Sequence, residues 1–359
     1  MNNINPTHQI VHGSNNQQAI LGALSLALVV AASLVALWRG SFVSTLSADT
    51  NPMPETMSAD IDQDSVGNAT VILVPEQVST IQGAIHQSTN GGVIFVSAGT
   101  YRENIRIQGK NISLQALAAG ARLLGDGREG PIAIFENSQF LIDGFHIENA
   151  RGEHGRGLVL QGSQGNISNC HIKNNVGGVA AINSKAQFER CEIAHNTSAV
   201  EGGGIWAWQS DVRLSNCKIS KNITQTCGGG MCVFGGSVQL LNVAFTSNSV
   251  VSGAWGGGLY SDRGHVDMNT CVMQDNFSQD SGAAIYVLDA CAKIRASTFK
   301  RNSFTGAATV VGAQAEFDIA DSELETFGEN MATTGVQEAV IAMADADQMT
   351  DMGLMAAAK

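Results

Sequence analysis

Four side chains in this 359-residue chain have the types that acid–base chemistry needs: Asp211, Asp262, Arg263 and His265. Cleavage of a polymer calls for two carboxyls at a defined separation, or for a carboxylate beside a poised base. Asp211, Asp262 and His265 can supply such a set, with Arg263 as the nearby positive charge. The competing reading is structural, because an acidic surface carries trios of this kind by composition, and Arg263 would pair across strands with Asp289. A second polar group, Arg151, Glu153, His154 and Arg156, is contiguous and reads as a solvated loop. A third set is aromatic: Trp206, Trp208, Phe234, Tyr260 and Tyr286. Aromatic rings side by side on a β-surface present flat apolar faces with polar edges, on which sugar rings stack. The same rings can instead pack beneath a loop, the C-terminal tail or a partner subunit. No converging His, Cys, Asp and Glu suggest a metal, so neither metal nor cofactor is expected. Ca²⁺ would be needed only if the chain were a polyuronate lyase.

These residues are placed by a repeat of about 26 residues that runs from about residue 155 to 302. Each unit opens on a small residue: Gly157, Gly178, Gly204, Gly230, Gly258 and Ala284. Thirteen positions later stand Cys170, Cys191, Cys217, Val243, Cys271 and Ser297. Two further on come Ile172, Ile193, Ile219, Phe245, Met273 and Phe299. Three beyond those is always asparagine: Asn175, Asn196, Asn222, Asn248, Asn276 and Asn302. Glycine triplets and short apolar/polar alternations, as in Ile205-Trp206-Ala207-Trp208, exclude a helical repeat. Each unit is therefore one coil of short strands, stacked about 4.8 Å from the next, so that equivalent residues form columns. The asparagines are expected to form an internal ladder, at turns where an amide tolerates left-handed angles. The cysteine column is expected to hold buried thiols, although Cys191 and Cys217 could approach disulfide distance. With seven cysteines in all, at least one stays unpaired within the chain.

Alternation puts Ile205, Ala207, Met231, Val233, Leu259 and Ile285 inside. Trp206, Cys232, Tyr260 and Tyr286 then form one outward column, and Trp208, Phe234, Asp262 and Leu288 the next.

The words GGGIW…NCKISKN, GGGMC…NVAFTSN and GGGLY…TCVMQDN resemble the right-handed parallel β-helix repeats of the pectin-lyase-like superfamily. Their GG(G/A)-I and F-x-x-N elements are similar to those of polymorphic outer-membrane proteins and related bacterial surface proteins. Phe245 to Asn248 and Phe299 to Asn302 match the second element in full. GTYRENI followed by LLGDG is similar to the opening coils of pectin methylesterases, where Glu103, Asp126 and Arg128 would serve structure. The resemblance spans about residues 70–320 and implies an all-β, single-stranded right-handed parallel β-helix. The superfamily's catalytic words are missing: no G-x-x-D-F-I-F-G, no N-T-D with paired D-D and R-I-K, no W-I-D-H or R-x-P-x-x-R. Fold alone carries no activity.

Around this core the expected organisation is a short tail at 1–18, a transmembrane helix at 19–38, a flexible linker at 39–69, the β-helix at 70–328, and a cap or tail at 329–359. Residues 19–38 are uncharged, mostly apolar and long enough to span a bilayer. Residues 1–18 lack the Lys or Arg of a signal peptide's n-region. Cleavage near Ser47-Ala48 would instead make the protein secreted. The segment Ser79 onward reads as a capping helix with Ile81, Ala84 and Ile85 on one face and Ser79 as N-cap. Val336, Val340, Ile341 and Met343 suggest a short amphipathic helix. A formal charge of −12 argues against a nucleic-acid partner. The leading expectation is a membrane-anchored, extracytoplasmic binding or scaffold module, in the periplasm or at the cell surface, for a glycan or a protein partner. Two alternatives stay open: a polysaccharide lyase, esterase or epimerase, and a structural subunit of a membrane assembly.

Overall fold

A computed structural model of the chain describes residues 69–252, 255–304, 310–313, 316–326 and 341–344. They form a right-handed parallel β-solenoid. The segments expected within residues 1–68, the anchor at 19–38 included, lie outside the described residues. Among those described, no helix is long and apolar enough to cross a membrane.

Each coil crosses three faces. The strands that follow the glycine runs make one face: Leu158–Gln161, Val179–Ile182, the start of Ile205–Ser215, the start of Met231–Leu241, Leu259–Asp262 and Ile285–Leu288. We call it the glycine face. A middle face runs through Gln164–Ser168, Lys185–Glu189, the ends of the two long strands, His265–Asn269 and Cys291–Arg295. The third, or asparagine, face comprises His171–Lys173, Glu192–Ala194, Lys218–Ser220, Ala244–Thr246, Val272–Gln274 and the start of Thr298–Phe304. Pairing between coils is parallel, and over the repeat it keeps register.

Register makes the core a set of columns. Leu158, Val179, Ile205, Met231, Leu259 and Ile285 stack with no exposed surface. On the asparagine face Ile172, Ile193, Ile219, Phe245, Met273 and Phe299 do the same. The expected inward set is therefore the observed one, because a two-residue period has only one way to bury its apolar half.

The asparagine column is a hydrogen-bonded ladder. Nδ2 of each amide donates to Oδ1 of the next: Asn175 to Asn196 (3.2 Å), Asn196 to Asn222 (3.0 Å), Asn222 to Asn248 (3.1 Å), Asn248 to Asn276 (3.0 Å) and Asn276 to Asn302 (2.9 Å). Each Nδ2 also donates to a backbone carbonyl of the preceding coil, as Asn222 does to Ile193 at 2.9 Å. Each Oδ1 from Asn196 onward accepts a backbone N–H as well, as Asn222 does from Asn196 at 3.1 Å. An interior amide thus fills four hydrogen-bonding sites while fully buried. One detail differs from expectation. The left-handed residues are the neighbours just before the ladder: Asn174, His195, Lys221, Ser247, Asp275 and Arg301, with φ of 56, 56, 53, 56, 54 and 49°. The turn thus uses the preceding residue, and frees the asparagine to point inward.

A second ladder escaped the sequence reading. Ser163 Oγ accepts the N–H of Ser138 (3.1 Å), Ser184 Oγ that of Ser163 (3.1 Å), and Ser210 Oγ that of Ser184 (3.0 Å). These serines are buried at the turn between the glycine and middle faces. Three stand twelve positions before ladder asparagines, the signal that could have revealed them. The column ends at Gly236 and Gly264.

Near the start of the solenoid the helix is Ile81–Gln87, with Ile81, Ala84 and Ile85 buried. Its N-cap is Thr80, one residue later than expected, whose Oγ1 accepts from Gly83 N at 3.1 Å. The Glu103 carboxylate accepts the N–H groups of Ile81 (3.0 Å) and Gln82 (2.9 Å), which matches its expected structural role. At the other end, Ile341–Ala344 is a strand paired in parallel with Val310–Ala313, where a helix was expected. An open glycine-face edge offers backbone partners that a short helix cannot use.

Candidate functional site

The extra residues that follow Asn196, Asn222, Asn248 and Asn276 shape the outer surface of the glycine face. They begin with the short strands Thr197–Ser198, Ile223–Thr224, Ser249–Val250 and Phe277–Ser278, which pair with one another in order. The loops beyond them bring Cys227 and Trp255 against the outward columns.

Trp206, Trp208, Phe234, Tyr260 and Tyr286 do lie together on this surface. Ring centroids are 6.4 Å apart for Trp206–Trp208, 5.6 Å for Trp208–Phe234, 5.8 Å for Phe234–Tyr260 and 5.7 Å for Tyr260–Tyr286. Register places Trp208 beside Phe234 and Tyr260 beside Tyr286, so the row follows from stacked coils. Exposure along it is uneven. Trp206, Trp208 and Phe234 are half-buried. Tyr260 and Tyr286 retain only 5% and 4% exposure, with Trp255 lying 5.5 Å from Tyr286. Burial pushes the phenol pKa of both tyrosines upward. The open part of the row is therefore Trp206, Trp208 and Phe234, and the rest is covered by the chain's own loop.

Arg156, expected in a solvated loop, is instead 7% exposed. It donates to the carbonyls of Glu201 (2.9 Å), Gly202 (3.2 Å) and Val179 (3.3 Å), and its guanidinium lies 5.4 Å from the Trp206 ring centre. Burial lowers its pKa to about 10, so it stays charged at neutral pH. Three carbonyls and an aromatic face hold a cation that no repeat position announced. Its neighbours Arg151, Glu153 and His154 are exposed, as expected.

The acid–base set is dispersed. Asp211, Ser237 and His265 occupy one column in consecutive coils, so the carboxylate and the imidazole stand two rungs apart. Ser237 Oγ donates to Asp211 Oδ1 at 2.7 Å. Arg263 is paired with its chain neighbour Asp262, through Nε at 3.0 Å and Nη2 at 3.1 Å, in place of the expected Asp289. The left-handed turn at Arg263, φ 51°, swings its side chain back over Asp262. Among the described residues no group of His, Cys, Asp and Glu has the arrangement to hold a metal ion.

The asparagine face carries a polar cluster that the sequence reading passed over. His146 and His171 stack at 4.5 Å in successive coils. His171 Nδ1 is 3.2 Å from Glu192 Oε2, which Lys173 also contacts, and Arg122 reaches Glu148 at 2.9 Å. Burial, then the charge of His171, lowers the pKa of His146. A depressed histidine pKa means that the unfolded chain takes up the proton first. The stability it contributes is complete above the ordinary value of 6.5 and is lost as pH falls below it. Wild-type urea midpoints should therefore fall between pH 7.5 and 5.5, and His146→Gln should flatten that fall. An identical slope in the variant would refute the assignment.

This stack of parallel coils, with its inward amide ladder, defines a class, and comparison with known proteins names it. The chain belongs to the right-handed β-helix family, whose model, described as "Right handed beta helix region", matches residues 62–210 and 156–323. Among solved structures it is similar to an alginate lyase from Paenibacillus sp., at 12% identity and TM-score 0.39, covering 71% of this chain and 98% of that one. It is also similar to carrot pectin methylesterase (13%, TM-score 0.41, 78% and 89%). A polygalacturonase from Erwinia carotovora gives 10%, TM-score 0.42, 80% and 100%. At these values the likenesses carry no inference about activity. No curated protein sequence matches the chain.

Proposed function

We propose that the protein is a carbohydrate-binding β-helix that takes a neutral oligosaccharide along Trp206, Trp208 and Phe234. The observation behind this reading is a row of three half-buried rings at 6.4 and 5.6 Å spacing on a rigid surface. Such a row offers apolar faces without a folding cost on binding. The net charge of −12 disfavours an anionic polymer, and two arginines on this side of the solenoid are already engaged, Arg156 by three backbone carbonyls and Arg263 by Asp262. In this reading residues 19–38 anchor the protein in a membrane, residues 39–69 are the stalk, the helix Ile81–Gln87 closes the first coil, and the solenoid stands outside the cytoplasm.

Tryptophan fluorescence titrations with cello-, xylo- and manno-hexaose, and with oligogalacturonate as the charged counterpart, test it. A neutral hexasaccharide should shift the emission, and Trp208→Ala should weaken binding about tenfold, roughly 1.4 kcal/mol. No response from any neutral sugar would refute the proposal. Release of shorter products would favour a polysaccharide-active enzyme. In that case Asp262→Ala and His265→Ala show whether Asp262 and His265 take part.

A further inference from the structure

We infer that Cys227 and Cys232 form an intrachain disulfide that fastens the loop before the Gly228–Gly230 triplet onto the aromatic row. The two sulfurs face one another at 2.8 Å, and both side chains are buried. The inward cysteines behave differently. Cys170 donates its thiol to Ser168 O at 3.1 Å, Cys217 to Ser215 O at 3.2 Å and Cys271 to Asn269 O at 3.3 Å, each two residues back along its own turn. Cys232 sits in the outward column, between Trp206 and Tyr260 by register, where the loop residue Cys227 can reach it. The chain reversal that brings them together is tight. Gly228, with φ 65°, lies so close that a Cβ there would be 2.5 Å from the Cβ of Cys232. Cys227, Cys232, Tyr260 and Tyr286 then form one buried cluster, with Trp206, Phe234 and Trp255 packed against it.

The chemistry is thiol–disulfide exchange. The Cys227 thiolate attacks one sulfur of an external disulfide, such as oxidised glutathione or a disulfide oxidoreductase, and expels one thiolate. The Cys232 thiolate then attacks the Cys227 sulfur of the mixed disulfide and expels the second. Two protein thiols lose two electrons and two protons, and the external disulfide is reduced to two thiols. Cys227, 7% exposed, meets the oxidant first, and Cys232, with no exposed surface, resolves the intermediate.

Peptide mapping of the full-length chain decides this. Cleavage after Lys and Arg releases residues 222–263, which contain Cys227 and Cys232 and no other cysteine. The reduced protein is equilibrated with oxidised glutathione, denatured without reductant, alkylated and digested. The 222–263 peptide should then carry no alkyl group and weigh about 2 Da less than its dithiol form. Five of the seven cysteines (seven minus two) should be alkylated. Reduction before alkylation should restore two alkyl groups to the peptide. Two alkyl groups on that peptide without reduction, or a bridge joining Cys191 to Cys217 in its place, would overturn the assignment. The readout is taken on the unaltered chain, so it does not depend on any variant folding, and it is independent of sugar binding.

Discussion

Replacing Asn222 with alanine should destabilise the solenoid by about 3–5 kcal/mol. The backbone N–H and the Nδ2 of Asn196 both lose their acceptor, and the Ile193 carbonyl loses a donor. All are buried, where water cannot replace the lost partner, and each unsatisfied group costs about 1–3 kcal/mol. Asn222→Asp separates hydrogen bonding from size. The carboxylate keeps the acceptor role but faces the Ile193 carbonyl and Asn248 Oδ1 without a proton to donate. Burial would raise its pKa, so its stability should be highest at low pH and decline as pH rises through that value. Urea unfolding at pH 5 and pH 7 checks both expectations. An alanine variant within about 1 kcal/mol of wild type would show that the ladder fills space without holding the coils together.

Gly204→Ala should cost about 3 kcal/mol, from overlap that the stack cannot relieve. A Cβ at Gly204 would lie 2.4 Å from the Gly230 carbonyl oxygen and 2.9 Å from Nδ2 of Asn222. Both are fixed, one by the next coil and the other by the ladder, so the coils must part. Gly109→Ala is the control. Its φ of 63° is unfavourable for alanine, but nothing lies within 4 Å of the added carbon, so the cost should be about 1–2 kcal/mol. Thermal melts of the two variants should rank Gly204→Ala well below Gly109→Ala. Equal melting points would mean that the stack absorbs the added carbon, and that contact between coils does not select glycine at the head of each unit.

Both effects trace to features that were legible in the chain. The fixed offsets from Gly204 to Cys217, Ile219 and Asn222 identify the coil. The identity of residues at each offset says what the column can be made of: amide, thiol or aliphatic. The serine ladder was legible in the same way, at twelve positions before Asn175, Asn196 and Asn222, but its residues are chemically plain and it stops at Gly236. His146 and His171 also share a column, although Ala150 stands where the ladder asparagine of that earlier coil would be.

The outer surface was read less well. Trp206, Trp208 and Phe234 could be grouped from alternation alone, yet the burial of Tyr260 and of Tyr286, with Trp255 against the latter, could not. Arg156 looked like one more charge in a polar stretch until three carbonyls and an indole closed around it. Arg263 chose its neighbour Asp262 over Asp289 because its own left-handed turn directs it there.

By itself the sequence determined the strand period, the coil length, the inward columns and the family. Parallel coils in register repeat their environment at each rung, so a repeated residue type is evidence of a repeated place. Only the tertiary structure decided which outward rings stay open, what covers the others, and that Cys227 faces Cys232. Those outcomes depend on loops that follow Asn196, Asn222 and Asn248, where the period lapses and each segment settles against whatever the neighbouring coils present.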